Sequence, residues 1–307
     1  MAKRIVMTGA TGFIGQRVAA ALLARGDAIV LLSRHPEQAK ARFPTAERCL
    51  LWAPGLEGAW RTAIDGVDAV IHLAGESIAG KRWNAAFKQR LRDSRVRGTR
   101  DIVAAIAQAQ RKPELLISAS GIGYYGDSGD AFDSETAPPG RDFLAELCSA
   151  WEAEAMEARQ SGVRVTVFRT GLVLARDGGA LPRLALPFSL LAGGPIGSGR
   201  QWFPWIHAED MVSALLSCVD TPALAGPVNA VAPQQCRNDE FCAALGKALH
   251  RPSWLRVPAF ALRLAAGEFA DSLLGGQRAT PDALLANGFR FRYPRLDEAL
   301  ASLYNPT

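Results

Sequence analysis

The sequence predicts an α/β fold in which a doubly wound parallel sheet is followed by a smaller α+β cap. Through the first 175 residues, near-continuous apolar segments rich in β-branched residues alternate with helical patterns. Such strands are typical of a parallel sheet that helices cover on both faces. After about residue 175 the chain becomes rich in glycine and proline, as in "LAGGPIGSGRQWFPW", which indicates a second, less regular unit.

The elements of the first unit, residues 1–175, follow from these patterns in chain order. Apolar strands are predicted at residues 4–9, 28–33, 69–75, 115–120 and 163–171. Helices are predicted between them, near residues 13–25, 84–109 and 142–161. Strand, helix and strand repeated in this way predict the doubly wound sheet.

The second unit, residues 176–307, is predicted to form the cap. Its predicted elements are helices at 208–219, 237–249 and 258–274, a strand at 226–233, and a short strand with a closing helix within 287–300. We expect the segment at about 203–232 to return to the main sheet. Residues from about 252 to 303 are expected to form a C-terminal helical piece.

Composition limits the function classes. The chain has 307 residues, of which 49% are hydrophobic and 21% charged, as is typical of a soluble globular protein. No apolar run approaches the length of a membrane span, and the N-terminus lacks a signal-peptide layout. We therefore expect a cytoplasmic protein that makes no membrane contact.

Charge and metal-binding patterns narrow the classes further. The net charge is +5, but the basic residues are scattered and do not interleave with aromatic residues, so we expect no nucleic-acid partner. The five cysteines form no CxxC pair and the four histidines show no HExxH spacing. We therefore predict that the protein has no metal site.

The stretch "TGATGFIG" places Gly9, Gly12 and Gly15 at a predicted strand-to-helix turn. Glycines at this spacing let the backbone approach a pyrophosphate, and the N-terminus of the following helix offers it free N–H groups. A tight turn that binds no ligand is the alternative. Because the triplet follows a strand and opens a helix, we predict a dinucleotide site in a Rossmann-type sheet.

The end of the second strand indicates which dinucleotide is bound. Proteins that prefer NAD place an acidic residue there to hold the ribose 2′-hydroxyl, but this chain has Ser33 and Arg34. Nothing there repels a 2′-phosphate, and the guanidinium of Arg34 can bind one. We therefore predict NADP(H) as the cofactor, against the alternative that Arg34 is an ordinary surface arginine.

Several motifs together resemble a known family. "TGATGFIG", "HLAG", "SASGIGYYG" and "WIHAEDMVSALL" are similar to the extended short-chain dehydrogenase/reductase superfamily. "HLAGESIAGKRW", "GGPIGSGRQWFPWIHAED" and "RPSWLRVPAFALRL" more closely resemble an atypical branch, the NAD-dependent epimerase/dehydratase-like proteins with a C-terminal domain of unknown function. The resemblance extends from residue 4 to about residue 303.

The resemblance implies a set of cofactor-binding residues. In this sequence they are Gly9, Thr11, Gly12, Phe13, Ile14, Gly15, Ser33, Arg34, Leu73, Ala74, Gly75, Arg95 and Ser118. It also implies a Ser or Thr after the strand at 115–120, which matches Ser120 best, with Ser118 as the alternative. Extended members carry "NVxGT" in the helix at 84–109, but this chain reads "RVRGT", so Arg95 replaces their asparagine.

The catalytic pair that the resemblance implies is missing from the sequence. Extended members use Tyr-x-x-x-Lys, in which the lysine lowers the pKa of the tyrosine that transfers the proton. Glu152 matches the acid that follows this lysine by four residues, so Cys148 occupies the lysine position and Leu144 the tyrosine position. None of the four tyrosines has a lysine four residues later.

Other residues are therefore candidates for the chemistry. Ser120 and Tyr124, which follow a strand at the ligand-binding edge of the sheet, are the predicted catalytic residues, although Tyr124 is equally explained by packing against the cap. Arg95 is expected to stabilise a phosphate or a phenolate. In the cap, Trp202 and Trp205 are predicted to form an apolar pocket wall, with Arg200 as a clamp for an anion.

Two functions fit these observations. The first is an NADP(H)-dependent oxidoreductase or epimerase-like enzyme that acts on a small polar or anionic substrate. The second is a non-catalytic sensor that reports NADP(H) to a partner. The missing tyrosine and lysine favour the sensor, whereas the cap favours the enzyme. We expect a monomer or a homodimer.

Overall fold

The computed structural model describes residues 2–305. Its strands are β1 (Arg4–Thr8), β2 (Ala28–Ser33), β3 (Arg48–Leu51), β4 (Ala69–His72), β5 (Leu115–Gly121), β6 (Phe132–Asp133), β7 (Arg164–Thr170), β8 (Leu172–Leu174), β9 (Trp205–His207), β10 (Gly226–Ala230) and β11 (Arg278–Ala279). Seven of them form one parallel sheet in the order β10-β7-β5-β4-β1-β2-β3. The predicted Rossmann-type parallel sheet is thus confirmed.

Helices cover the sheet and build the cap. They are α1 (Gly15–Ala24), α2 (Pro36–Arg42), α3 (Ala85–Arg92), α4 (Gly98–Gln108), α5 (Phe143–Met156), α6 (Leu181–Ser189), α7 (Ala208–Asp220), α8 (Asn238–Ala248), α9 (Ala259–Ala266), α10 (Phe269–Leu274), α11 (Asp282–Ala286) and α12 (Leu296–Tyr304). A π-helical turn, Asp93–Arg97, joins α3 to α4. The helix predicted near 84–109 therefore contains three consecutive helical segments.

The pattern of burial explains why the strands read as continuous apolar runs. In β1, Ile5 and Met7 pack into the core beneath α1 and α7, whereas Val6 points to the opposite face and packs with α4 and the end of α5. All three side chains are buried because both faces of the sheet are covered. A third apolar cluster joins α6, α8 and α12 in the cap.

Three sequence predictions are corrected by the structure. Strand β3 was not predicted, because it is a short edge strand in which Arg48 and Leu51 are exposed and the two residues between them are only partly buried. The helix predicted at 258–274 is two helices, separated at Gly267, whose φ is +62°. The strand predicted within 287–300 is absent from the described structure there; the N–H groups of Arg292 and Tyr293 donate instead to the carboxylate of Asp210, at 2.7 and 2.9 Å.

The strand order determines where a ligand binds. The chain runs outward from β1 through β2 to β3, and then crosses back to β4 on the other side of β1. Such a reversal opens a crevice beyond the carboxyl ends of the two strands, and ligands of open α/β sheets bind there. Gly9 follows β1 and Leu73–Gly75 follow β4, so the crevice lies between these two turns.

Candidate functional site

The glycine loop after β1 is packed tightly against the turn after β4. Gly9 has φ +73°, and a Cβ atom on it would lie 2.7–2.9 Å from backbone atoms of Leu73 and Ala74. A Cβ atom on Gly15 would collide with the carbonyl oxygen of Gly9. Because no side chain fits at either position, Gly15 is required by the tight turn of the loop itself, and Gly9 is required both by its left-handed backbone in that turn and by the contact with the turn after β4.

Helix α1 begins with backbone donors that the protein leaves free. Ile14, the N-cap residue, provides no side-chain cap. No residue within 2–305 accepts a hydrogen bond from the N–H groups of Phe13, Ile14 or Gly15. Free N–H groups at the positive end of a helix dipole form an anion site. The loop therefore fits the pyrophosphate of a dinucleotide.

A segment that the sequence analysis missed packs on this loop. The ring of Phe13 lies against Gly178 and Gly179, where added Cβ atoms would come within 2.7 Å of it. The guanidinium of Arg17 also lies over the ring, 4.5 Å from its centroid, and forms an ion pair with Asp177. The Gly178–Gly179 pair was the available signal, since adjacent glycines often allow close packing of two segments.

The end of β2 carries the residues predicted to recognise the cofactor's 2′-phosphate. The hydroxyl of Ser33 accepts a hydrogen bond from the N–H of His35, at 3.1 Å. Arg34 is exposed, and no carboxylate of the described chain lies within ion-pairing distance of it. Its guanidinium is therefore available to an incoming anion.

The "HLAG" turn is held by a buried histidine. Nδ1 of His72 lies 2.8 Å from the hydroxyl of Thr8, and the same hydroxyl accepts a hydrogen bond from the N–H of Ala74, at 3.2 Å. Burial lowers the pKa of His72 to about 4, so its ring is neutral at physiological pH. His72 therefore positions the turn and does not act as an acid or a base.

The two serines of β5 differ in their surroundings. Ser118 is fully buried, and its hydroxyl has only a long contact of 3.4 Å to the carbonyl of Ala119. The hydroxyl of Ser120 donates to Oε1 of Glu152, at 2.6 Å. The proton of Ser120, a predicted catalytic residue, is thus engaged by a carboxylate of α5.

Two adjacent tyrosines follow β5 in unlike environments. The hydroxyl of Tyr125 donates to Asn229 and accepts from Arg169, both at 2.8 Å, and burial raises its pKa to about 12. Tyr124 is only partly buried, and the guanidinium of Arg169 lies over its ring, 3.5 Å from the centroid. The Tyr124 hydroxyl makes no hydrogen bond with any residue from 2 to 305, so it is free to meet a ligand.

The positions on α5 that match the family's tyrosine and lysine are apolar in this structure. Leu144 packs against Gly123, where a Cβ atom would lie 3.1 Å from the leucine side chain. Cys148 is buried beneath Gly121, and burial raises the pKa of its thiol to about 11. Leu144 has no ionisable group and the Cys148 thiol is uncharged at neutral pH, so these two residues do not reproduce the family's pair of a tyrosine hydroxyl and a lysine cation.

Arg95 lies in the crevice, next to the turn after β4. A Cβ atom on Gly75 would lie 3.4–3.6 Å from the guanidinium, which donates to the carbonyl of Glu76 at 2.9 Å. On its other side the guanidinium lies over the ring of Trp151 on α5, 5.1 Å from the centroid. The structure thus brings Arg95 together with the "HLAG" turn and with α5.

The three residues predicted for a substrate pocket in the cap have different surroundings. Trp205 is 1% exposed within the cap core, so the expectation that it walls a pocket is wrong. The ring of Trp202 lies between Arg237 and Arg278, and its Nε1 donates to Asp130, at 2.9 Å. Arg200 is exposed, and its side chain forms no ion pair with any carboxylate of residues 2–305.

No metal or membrane element adds to this site. Residues 2–305 contain no group of three or more His, Cys, Asp or Glu side chains arranged to hold a metal ion. Within the same residues, every helix is too short or too polar to cross a membrane.

This fold and site define the class of the protein. It is a dinucleotide-binding α/β protein whose crevice lies between β1 and β4, where the strand order reverses. A family model described as "NAD dependent epimerase/dehydratase family" matches residues 5–230, and one described as a domain of unknown function, DUF1731, matches residues 257–303. The chain belongs to the NAD-dependent epimerase/dehydratase family and carries that C-terminal domain. The resemblance noted in the sequence is thereby confirmed.

Named relatives cover nearly the whole chain. The chain is 40% identical over 305 residues to the Arabidopsis thaliana chloroplastic homologue of epimerase family protein SDR39U1, covering 97% of this chain and 86% of that protein. It is 38% identical to the Bacillus subtilis epimerase family protein YfhF, covering 97% of both. A crystal structure of human SDR39U1 with NADPH is similar, with a TM-score of 0.86 and 34% identity over 99% of this chain and 100% of that one.

Proposed function

We propose that this protein is an NADP(H)-dependent oxidoreductase of the epimerase family that works without the usual tyrosine and lysine pair. The observation that carries the proposal is the start of α1. Three consecutive N–H groups, from Phe13 to Gly15, have no acceptor in the described chain, and they lie beside a glycine loop pressed against the "HLAG" turn. This geometry suits a pyrophosphate.

The preference for NADP(H) rests on the end of β2. Arg34 is exposed and without an ion-pairing carboxylate in the described chain, and no acidic side chain replaces it at the ribose position. A guanidinium binds a phosphate through parallel hydrogen bonds, whereas a carboxylate there would repel it. The human relative whose structure was determined with NADPH supports the same choice.

The residues of the reaction centre have distinct roles in this proposal. A bound nicotinamide would supply or accept the hydride. Tyr124 is the proton donor, because its hydroxyl has no partner in the described chain and it follows β5 at the ligand-binding edge. Ser120 is a positioning residue, because its proton is already donated to Glu152.

The alternative function is a sensor that binds NADP(H) and catalyses nothing. The apolar side chains of Leu144 and Cys148, at the two positions where the family keeps its proton-transfer pair, favour it. The sensor and the enzyme share the cofactor site and differ only in whether Tyr124 transfers a proton.

Calorimetric titration of the purified protein with NADPH and with NADH tests the shared part of the proposal. We expect saturable binding of NADPH that is clearly tighter than that of NADH, and inorganic pyrophosphate should compete with it because it binds at the start of α1. A heat of binding that is absent for both nucleotides at millimolar concentration would overturn both the enzyme and the sensor.

A further inference from the structure

Arg95 is a charged residue on a helix face that is otherwise apolar. Phe87, Leu91 and Arg95 recur every four residues and therefore share one face of the helical segment that runs from α3 into the π-helical turn. Phe87 and Leu91 are buried on that face. Arginine is rarely found on a buried stripe unless it has a partner. The π-helical turn that carries Arg95 is itself a feature often found at functional sites.

The hydrogen-bond partners of Arg95 among the described residues are all neutral. Its guanidinium donates to the carbonyl oxygens of Glu76 (2.9 Å) and Leu91 (3.3 Å) and weakly to the hydroxyl of Ser94 (3.4 Å). Among residues 2–305, no carboxylate lies within 4.0 Å of it. Burial lowers the pKa of Arg95, which reflects the cost of keeping this charge away from water. A partly buried cation without an anion is unfavourable until a ligand supplies one.

The position of the guanidinium indicates which ligand that is. It lies between Gly75, at the mouth of the crevice, and the ring of Trp151 on α5. It is also close enough to influence the thiol of Cys148, which occupies the position of the missing lysine. A positive charge therefore lies at this end of the crevice, contributed by the π-helical turn and not by α5.

We propose that Arg95 is the anion-binding residue of the reaction centre and pairs with a carboxylate or phosphate group of the ligand in the crevice. This inference rests on the proposed function, because the anion belongs either to the substrate or to the cofactor. If it belongs to the substrate, the substrate is a small organic acid or phosphate ester, and Arg95 performs the clamping role that was expected of Arg200.

Thermal unfolding tests the proposal without any enzyme activity. Arg95→Met removes the charge and keeps an unbranched side chain of similar reach. In a buffer without multivalent anions, we expect Arg95→Met to melt at the same temperature as the wild type or above it, because an uncompensated cation has been removed. Inorganic phosphate and malonate should raise the melting temperature of the wild type and have much less effect on Arg95→Met. Arg90→Gln, which removes an exposed charge from the same helix, should respond like the wild type.

Two further measurements separate the sources of the anion. The anion belongs to the cofactor if Arg95→Met weakens NADPH binding tenfold or more. The more conservative Arg95→Lys should then weaken it only slightly. The anion belongs to the substrate if Arg95→Met binds NADPH as tightly as the wild type but, when loaded with NADPH, no longer shows the change in Trp151 fluorescence that malonate or phosphate causes in the wild type. The Trp151 signal is identified as the part of the fluorescence change that is lost in Trp151→Phe.

The proposal is overturned if the response of Arg95→Met to anions and its NADPH affinity equal those of the wild type, whatever its melting temperature. Arg95 would then be only a structural residue. Failure of the wild type to bind NADPH would instead reject the proposed function, and the response of the cofactor-free protein to phosphate and malonate would still decide the role of Arg95.

Discussion

Arg169 and Glu152 form a two-pronged ion pair that is buried beneath the candidate reaction centre. Nε of Arg169 lies 2.9 Å from Oε1 of Glu152, and Nη2 lies 2.8 Å from Oε2; the two side chains are 3% and 10% exposed. The same carboxylate accepts the proton of Ser120, and the same guanidinium contacts Tyr124 and Tyr125. One ion pair therefore contacts three polar side chains near the carboxyl end of β5: Ser120, Tyr124 and Tyr125.

Breaking this pair is expected to be costly. Glu152→Gln leaves the guanidinium of Arg169 buried without its counter-charge, and removal of one partner from a buried pair destabilises a protein by about 3–5 kcal/mol. Urea denaturation should show this loss in the free energy of unfolding. Glu154→Gln is the matched control, because it breaks the more exposed pair with Arg100 two residues along the same helix and should cost about 1 kcal/mol or less. Equal losses in the two variants would contradict the structural role of the buried pair.

Acid is expected to destabilise the protein through His72. Its pKa is about 4 in the folded protein and 6.5 in the unfolded chain, so between these values the unfolded state binds more protons. The contribution of His72 is complete above pH 6.5 and is lost as the pH falls toward 4. We expect it to account for about 2 kcal/mol between pH 7.5 and pH 5.

His72→Asn isolates this contribution, because the asparagine oxygen can accept the hydrogen bond of Thr8 but does not titrate. Denaturation curves at the two pH values should show a smaller acid loss for His72→Asn than for the wild type. His207, whose pKa burial also lowers, is present in both proteins and cancels in the comparison. The structure indicates that the His72 ring is excluded from water. If His72→Asn showed the same pH dependence of stability as the wild type, this burial of the ring would be contradicted.

Much of the fold could be predicted because its elements follow local patterns. Strands β1 and β4, whose carboxyl ends border the crevice, are buried on both faces, so their side chains are mostly apolar. Gly9 and Gly15 are required by a tight local turn. Segments that depend on distant partners were less visible. The extended chain around Arg292 satisfies its N–H groups on Asp210, about eighty residues earlier, and no sequence periodicity records such a contact.

The candidate site likewise contains residues whose role the sequence indicates and residues whose role depends on distant contacts. The glycine loop and Arg34 belong to a contiguous strand-turn-helix unit, so sequence spacing indicates their role. Trp205 was wrongly predicted to form a pocket wall, because the sequence of a three-residue strand does not show which of its faces packs against the cap. Its burial depends on α8 and α12, which come later in the chain. The contacts of Glu152 with Ser120 and Arg169 join three separate elements, and only the tertiary structure brings them together.

Arg34 is expected to determine the preference between cofactors. Arg34→Ala removes the guanidinium available to the 2′-phosphate and should weaken NADPH binding by roughly 1.5–3 kcal/mol, a loss of about 10- to 150-fold, while NADH binding stays the same. Calorimetry with both nucleotides measures the difference. Arg48→Ala is the control, because Arg48 is also exposed but lies at the amino end of β3, opposite Val30 of β2 and away from the carboxyl ends of the strands. A similar loss for NADH, or none for NADPH, would assign the 2′-phosphate to other residues.

Tyr124 and Tyr125 offer a matched pair of substitutions that separates the enzyme from the sensor. Tyr125→Phe removes a hydroxyl that is bonded to Arg169 and Asn229, so we expect the free energy of unfolding to fall by about 1–3 kcal/mol. Tyr124→Phe removes a hydroxyl without a partner in the described chain and should change stability by no more than about 0.5 kcal/mol. Urea denaturation of both variants establishes this contrast before any reaction is measured.

The reaction of NADPH-loaded protein with small carbonyl compounds that carry a carboxylate or a phosphate then tests Tyr124 as the proton donor. Positioned general acids contribute about 10²- to 10⁴-fold, so single-turnover oxidation of NADPH, followed by its absorbance, should slow by at least about 100-fold in Tyr124→Phe. NADPH affinity should be unchanged, because the hydroxyl acts on the carbonyl oxygen and not on the dinucleotide. If the wild type oxidises no such compound while binding NADPH tightly, the sensor replaces the enzyme. If Tyr124→Phe reacts as fast as the wild type, the proton comes from another group, and Ser120→Ala is the next substitution to compare.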